Sequence, residues 1–81
     1  MDVLNRLKAL ASKELSIDTS TFDLETPLSE LHIDSLAFVD FLFKVEEEFG
    51  VRMPDERVTA MRTIGDLERS VSELLSGAPQ S

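Results

Sequence analysis

The chain has 81 residues, no cysteine and no tryptophan, and its 16 acidic against 8 basic side chains give a formal net charge of −8. A chain of this length suffices for one small domain and is too short to bury a second hydrophobic core. The negative charge argues against nucleic acid and anionic membranes as ligands, because their phosphates would be repelled. The lack of cysteine excludes disulfides and thiolate metal sites, and one histidine cannot form an imidazole site.

The N-terminal sequence lacks the basic and then apolar pattern of a signal peptide. No apolar stretch approaches the roughly 20 residues that a membrane-spanning helix needs. We therefore expect a cytoplasmic, monomeric domain without membrane insertion, and expect its partners to be basic proteins.

Two segments precede the centre of the chain. Residues 2–15 predict an amphipathic helix that Asp2 can cap, because apolar residues recur at intervals of three and four. Residues 16–33 are rich in turn-forming residues and predict a long connection. Apolar residues also recur along this connection, so we expect it to lie on the core: Ile17, Phe22, Leu24, Leu28 and Leu31.

Three further helices are expected after the connection. A strong helix is predicted over Ser35–Phe49, with Asp34 as its N-cap and Gly50 as its C-cap. Residues 53–56 predict the start of a short helix, and residues 63–66 resemble a capping box that begins the last one. The prediction is therefore an all-α fold: a small four-helix bundle of three longer helices and one short helix, with a long loop between the first and second. The domain is expected over residues 1–75, followed by a flexible tail over residues 76–81.

The central helix has two apolar faces when its side chains are placed at about 100° per residue. One is an ordinary core face: Phe38, Phe41, Leu42, Val45 and Phe49. The opposite face mixes apolar and acidic residues: Leu36, Val39, Asp40, Phe43 and Glu47. Either the long connection folds back over its apolar residues, or this face is an exposed docking surface for basic proteins. Residues 30–56 hold eight acidic and two basic side chains, which favours docking, although a solvated helix face also explains the charge.

Asp34, Ser35 and Leu36 lie at the beginning of this helix. A serine in that place is most often a capping residue. Free backbone N–H groups and the positive end of the helix dipole also favour a phosphate there. The hydroxyl of Ser35 is therefore a place where a phosphodiester could be attached without burying its charge.

Three segments follow one another along the chain: Leu31-His32-Ile33-Asp34-Ser35-Leu36, Val45-Glu46-Glu47-Glu48-Phe49-Gly50 and Met53-Pro54-Asp55-Glu56. Together they closely resemble a freestanding, type II acyl carrier protein, and the resemblance extends over almost the whole chain. It implies that Ser35, within the motif that Asp34 and Leu36 complete, carries 4′-phosphopantetheine from coenzyme A, whose thiol holds acyl groups as thioesters. It also implies that partner enzymes recognise one surface: Asp34, Leu36, Val39, Asp40, Phe43 and Glu47.

The resemblance implies a carrier and not an enzyme. Such a carrier is loaded by a phosphopantetheinyl transferase and delivers acyl intermediates of fatty acid, polyketide or related lipid biosynthesis. Its other partners would be synthases such as ketosynthases, reductases, dehydratases or acyltransferases with basic docking patches. The core could take in an acyl chain, or it could simply be packed.

Two other functions remain open from the residues alone. One is an acidic helical interaction module without a prosthetic group, in which Ser35 only caps. The other is a hydrolase that uses Ser35 and His32, although a catalytic serine needs a base held by a third group in a preorganised pocket.

Three residues depart from the family pattern. His32 stands where many members have glycine, Ala37 stands where an acidic residue is common, and Lys44 places a base in the acidic helix. The presence of His32 raises the question of how readily a general phosphopantetheinyl transferase would load this chain. Together they suggest a carrier that serves one specialised pathway.

Overall fold

The computed structural model describes residues 2–77, which form four α-helices and no β-strand. The helices are α1 (Val3–Leu15), α2 (Ser35–Phe49), α3 (Asp55–Ala60) and α4 (Ile64–Leu75). A short 3₁₀ segment at Leu28–Leu31 lies within the long connection between α1 and α2. The predicted all-α bundle of three longer helices and one short helix is thus confirmed.

Local capping contacts set the helix ends. The side chain of Asp2 accepts a hydrogen bond from the backbone N–H of Asn5 at 3.1 Å. At the end of α2, Gly50 adopts a left-handed conformation with φ of 68°, which glycine tolerates because it has no Cβ. At the start of α4, Thr63 and Asp66 form the predicted capping box, with both reciprocal hydrogen bonds present.

The hydrophobic core lies where α1, α2 and α4 meet. Val45 of α2 and Val71 of α4 are completely buried, and Leu7 of α1 is 2% exposed. The predicted core face of α2 is confirmed, with Phe38 only half-buried at its edge. Each large buried side chain of this kind stabilises the fold by about 1.5–3 kcal/mol relative to an exposed position.

The long connection is fastened to the beginning of α4. The backbone N–H of Ile64 donates to the carbonyl of Thr26 at 2.9 Å, and that of Gly65 donates to the carbonyl of Leu24 at 2.8 Å. Leu31 is buried against the core, as predicted. The same expectation is wrong for Leu24, whose side chain is 46% exposed, because its backbone rather than its side chain meets α4.

None of the helices in residues 2–77 is long and apolar enough to cross a membrane. After α4, the chain continues through Ser76 and Gly77, and the rest of the tail predicted over residues 76–81 lies outside the described residues.

Candidate functional site

The N-terminus of α2 is capped by Asp34, which has an extended backbone conformation. Its carboxylate accepts a hydrogen bond from the backbone N–H of Ala37 at 2.8 Å, and its carbonyl accepts one from Phe38 at 3.0 Å. Ser35 is consequently the first residue of α2 and not its cap. The prediction that Asp34 caps α2 is confirmed, and the interpretation of Ser35 as a capping residue is wrong.

Ser35 is exposed, and within residues 2–77 its hydroxyl makes no hydrogen bond. It borders a surface groove of about 240 Å³, whose apolar wall comes from Leu28, Phe38 and Met61. Backbone N–H groups at the start of a helix favour a nearby anion. The hydroxyl is therefore accessible to another protein and stands where a phosphate group is tolerated.

His32, three residues before Ser35, has a left-handed backbone conformation with φ of 54°. It ends the 3₁₀ segment, and its N–H donates to the carbonyl of Ser29 at 3.2 Å. Left-handed conformations are costly for residues with a Cβ and free of that cost for glycine. This conformation gives a physical reason why glycine is common at this position in the family that the sequence resembles.

The hydrolase interpretation finds no support in this geometry. Within residues 2–77, no hydrogen bond joins His32 to Ser35 or to Asp34. The carboxylate of Asp34 is engaged as a helix cap instead.

No group of three or more potential metal ligands occurs among residues 2–77.

The second apolar face of α2 is exposed. The side chains of Leu36, Val39 and Phe43 are 73%, 42% and 58% exposed, and Asp40 and Glu47 beside them are also exposed. We call these five residues the α2 strip. The alternative in which the long connection folds back over Leu36, Val39 and Phe43 is wrong, since these side chains are exposed and the connection is hydrogen-bonded to α4.

A groove of about 530 Å³ runs between the end of α1 and the α2 strip. Glu14 and Leu15 of α1 line it together with Asp40 and Lys44 of α2. Glu14 belongs to this acidic surface, although the sequence did not predict it there. Its position in the sequence carries no such signal, because only the packing of α1 against α2 brings it there.

Comparison with known proteins adds three findings. Residues 5–71 match the protein family described as "Phosphopantetheine attachment site". An acyl carrier protein of Thermosynechococcus vestitus is 36% identical over 67 residues, which cover 82% of this chain and 83% of that protein. One of Arthrobacter sp. (strain FB24) is 35% identical over 66 residues, which cover 80% of this chain and 82% of that protein.

Comparison of the fold with solved structures also finds an acyl carrier protein. The crystal structure of an acyl carrier protein from Thermotoga maritima matches with a TM-score of 0.83 and 29% identity, over 93% of this chain and 88% of that one. The match over residues 5–71 places the chain in the class of phosphopantetheine-binding domains. The chain belongs to the acyl carrier protein family, which confirms the resemblance seen in its sequence.

Membership of this family implies a covalently attached 4′-phosphopantetheine group. The residues at the start of α2 fit such a group, since an exposed hydroxyl stands at a helix N-terminus beside an open groove. The polypeptide has no thiol of its own, so a reactive thiol would have to come from the attached group.

Proposed function

We propose that Ser35 is the attachment residue and that the protein carries acyl groups between the enzymes of a biosynthetic pathway, without catalysing a step itself. The observation that supports this most directly is the accessible hydroxyl of Ser35 on the first residue of α2. Because Asp34 already caps the helix, the hydroxyl of Ser35 can be esterified without loss of the cap.

The attachment reaction uses coenzyme A and a phosphopantetheinyl transferase. The oxygen of Ser35 forms a bond to the phosphorus next to pantetheine, and the pyrophosphate bond of coenzyme A breaks. The adenosine bisphosphate portion leaves, and the proton of the hydroxyl passes to a base of the transferase or to water. Once attached, the group supplies a terminal thiol for thioester formation.

The chain's own residues would position this reaction. Asp34 holds the start of α2 and therefore the direction of the Ser35 side chain. Leu36, the most exposed apolar residue of the α2 strip, lies directly beside Ser35 and is available for apolar contact with the transferase. Free N–H groups and the helix dipole at this end of α2 offset the negative charge of the phosphodiester.

The α2 strip, together with Asp34, is the proposed docking surface for the transferase and for the enzymes that use the cargo. Burial of Leu36, Val39 and Phe43 against a partner would supply affinity through the hydrophobic effect. Asp40 and Glu47 would attract a basic patch and speed its association, which makes binding dependent on salt. Ketosynthases, reductases, dehydratases and acyltransferases with such patches are the proposed partners.

The decisive experiment measures the intact mass of the full chain after incubation with coenzyme A and a phosphopantetheinyl transferase. We expect a gain equal to one phosphopantetheine in the wild type and none in Ser35→Ala. Ser29→Ala is the matched control, because Ser29 borders the same groove and should not affect loading. A gain that persists in Ser35→Ala, or no gain with several transferases, would refute the assignment.

An interaction module without a prosthetic group is the alternative, and the exposed α2 strip suits it equally well. The mass of the protein purified from its native host separates the two functions. A chain that is unmodified there while bound to a partner through the α2 strip would favour the alternative.

A further inference from the structure

Two of the three consecutive glutamates near the end of α2 are engaged within the fold. The carboxylate of Glu46 accepts a hydrogen bond from the backbone N–H of Met53 at 2.6 Å. The carboxylate of Glu48 pairs with the guanidinium of Arg6 at 2.9 Å, which ties the end of α2 to α1. The side chain of Glu47, between them, makes no hydrogen bond or ion pair within the described part of the chain. The three glutamates therefore offer one unengaged carboxylate to a partner.

Lys44 stands between the two carboxylates of the α2 strip. At about 100° per residue, Asp40, Lys44 and Glu47 point within about 60° of one another. A helix rises about 1.5 Å per residue, so they follow one another along α2 at intervals of about 6 Å and 4.5 Å. All three are exposed and line the groove of about 530 Å³ between α1 and the α2 strip. This side of α2 therefore presents a row of charges that runs negative, positive, negative.

The charge of Lys44 is not neutralised within the fold. Carboxylates stand four residues before it and three and four residues after it, which are the spacings at which helix side chains pair. Among the residues that the structure describes, however, its ammonium forms no ion pair and no hydrogen bond. The carboxylate of Glu48 is bound to Arg6 instead. Lys44 is consequently available to contact another molecule.

An evenly basic surface does not match this row of charges. A cation opposite Lys44 would meet a like charge at close range, which opposes binding. A carboxylate opposite Lys44, with basic groups on either side of it opposite Asp40 and Glu47, satisfies all three charges. The side chain of Phe43, which is 58% exposed on the same face, supplies an apolar contact against which such a partner can pack.

We infer that Lys44 selects the partner: the α2 strip and the groove beside it bind a protein whose docking surface carries an acidic side chain between two basic ones. This inference rests on the docking surface of the proposed function and narrows the class of protein that fits it. Lys44 attracts that acidic side chain and repels a uniformly basic surface. Discrimination between partners draws on both effects.

The test selects binding partners from a displayed library of helical peptides. The apolar positions of the library are fixed as leucine, and every other position is lysine, glutamate or glutamine. The targets, at low salt, are the full wild-type chain, Lys44→Glu and Lys13→Glu. Lys13→Glu is the matched control, because it makes the same change of net charge at an exposed lysine that lines a different groove, beside Arg6 and Glu48.

We expect the wild type to select peptides in which a glutamate has a lysine three or four positions away on each side. Lys44→Glu should select peptides with lysine at the central position, and Lys13→Glu should select the same peptides as the wild type. Selection of uniformly basic peptides by the wild type and Lys44→Glu alike would overturn the inference. Failure of the wild type to select any peptide would do so too.

The affinity of one selected peptide gives the magnitude. Replacement of its central glutamate by lysine should weaken binding to the wild type by roughly 3- to 10-fold and strengthen binding to Lys44→Glu by a similar factor. Lys13→Glu should respond as the wild type does. Because the two variants have the same net charge, their comparison removes the general attraction of an acidic chain for lysine. An equal response in Lys44→Glu and Lys13→Glu would contradict a selective role for Lys44.

Backbone amide chemical shifts locate the bound peptide. The selected peptide should shift Asp40, Phe43 and Lys44 and leave Arg57, in the groove between α3 and α4, unchanged. A peptide that binds elsewhere on the chain would overturn the inference. Peptide binding needs no prosthetic group, so a failure to load Ser35 would refute the proposed attachment while leaving these selections as they are.

Discussion

The carboxylate of Asp34 accepts a hydrogen bond from the backbone N–H of Ala37 at 2.8 Å, and this contact caps α2 at the residue directly before Ser35. We expect Asp34→Ala to lower the free energy of unfolding by about 1 kcal/mol, because it leaves a helix N–H without its acceptor. Asp34→Asn keeps an oxygen acceptor and should lose much less. Urea unfolding of the three proteins measures the difference.

The same variants test whether the cap positions Ser35. Asp2→Ala is the matched control, since Asp2 caps α1 in the same way through the N–H of Asn5 at 3.1 Å. Both alanine variants should lose similar stability, and only Asp34→Ala should also slow the loading of Ser35 by the transferase. Equal loading rates in Asp34→Ala and Asp2→Ala would contradict a positioning role for Asp34.

Gly65 is packed directly against the long connection. A Cβ at this position would lie 2.6 Å from the carbonyl oxygen of Leu24, which is a backbone atom that already accepts a hydrogen bond from Gly65. We expect Gly65→Ala to lower the free energy of unfolding by about 1–3 kcal/mol, because the connection has to move away from α4. Thermal unfolding followed by circular dichroism measures the loss.

Gly50→Ala provides the comparison for that loss. Gly50 has open space around it but a left-handed φ of 68°, so alanine costs conformational energy without a clash. Gly50→Ala should therefore cost about 1 kcal/mol. A larger loss in Gly50→Ala than in Gly65→Ala would contradict the steric explanation.

His32 and Ser16 both have left-handed backbones, with φ of 54° and 55°. Replacement of either by glycine should raise the free energy of unfolding by about 0.5 kcal/mol, since relief of the Cβ clash exceeds the greater flexibility of the unfolded chain. Ser29→Gly, within the 3₁₀ segment, should lower it instead. If His32→Gly gains stability and loads at an unchanged rate, the imidazole has no part in transferase recognition; a loss of loading would assign it one.

The pKa of Asp66 is lowered chiefly because the backbone N–H groups of Arg62 and Thr63 donate to its carboxylate, with Arg69 adding to the effect. A pKa lowered in the folded state favours the charged form there, so this contribution to stability is present above the ordinary value of 3.8 and disappears as the pH falls below it. Asp66→Asn has no charge to lose. The difference in unfolding free energy between wild type and Asp66→Asn should therefore be largest above about pH 5 and should shrink below pH 4.

Asp18 gives an independent test of the same effect. Its pKa is also lowered, chiefly by the backbone N–H of Ser20, which donates to its carboxylate at 2.9 Å. Unfolding of Asp18→Asn between about pH 2 and 7 should show a difference from wild type that shrinks in the same direction. A difference that stays constant or widens in acid would contradict the role of these hydrogen bonds.

Charge reversal at Asp40 and Glu47 tests the α2 strip as a docking surface. Both side chains are exposed, so the double variant Asp40→Lys, Glu47→Lys should keep its helical content, and each substitution should change stability by only about 0.5 kcal/mol. Loading by the transferase should slow strongly at low salt and approach the wild-type rate as salt screens the charges.

Glu25→Lys is the control for the strip. It reverses one charge on an exposed residue of the long connection, whose neighbours Leu24 and Thr26 are hydrogen-bonded to α4. Its loading rate should stay close to that of the wild type at every salt concentration. An equal effect of Glu25→Lys would mean that net charge matters and not the α2 strip.

Helix boundaries were predictable because their signals are local. Asp34 and Gly50 end α2 where the sequence predicts, and Thr63 with Asp66 begins α4. A capping residue contacts backbone groups only two or three positions away, so its effect is contained in a short stretch of sequence. The exposure of Leu24 was not predictable in this way, because an apolar residue in a connection follows no helical or strand period.

The attachment motif and the α2 strip are contiguous or periodic on one helix, so the sequence by itself determined which residues share that face. Only the tertiary structure decided that this face stays uncovered, since that depends on where the long connection forms its hydrogen bonds with α4. The packing of separate elements also places Glu14 in the groove beside the α2 strip, and Leu28 and Met61 in the groove beside Ser35. No local sequence pattern relates residues that meet only in the folded chain.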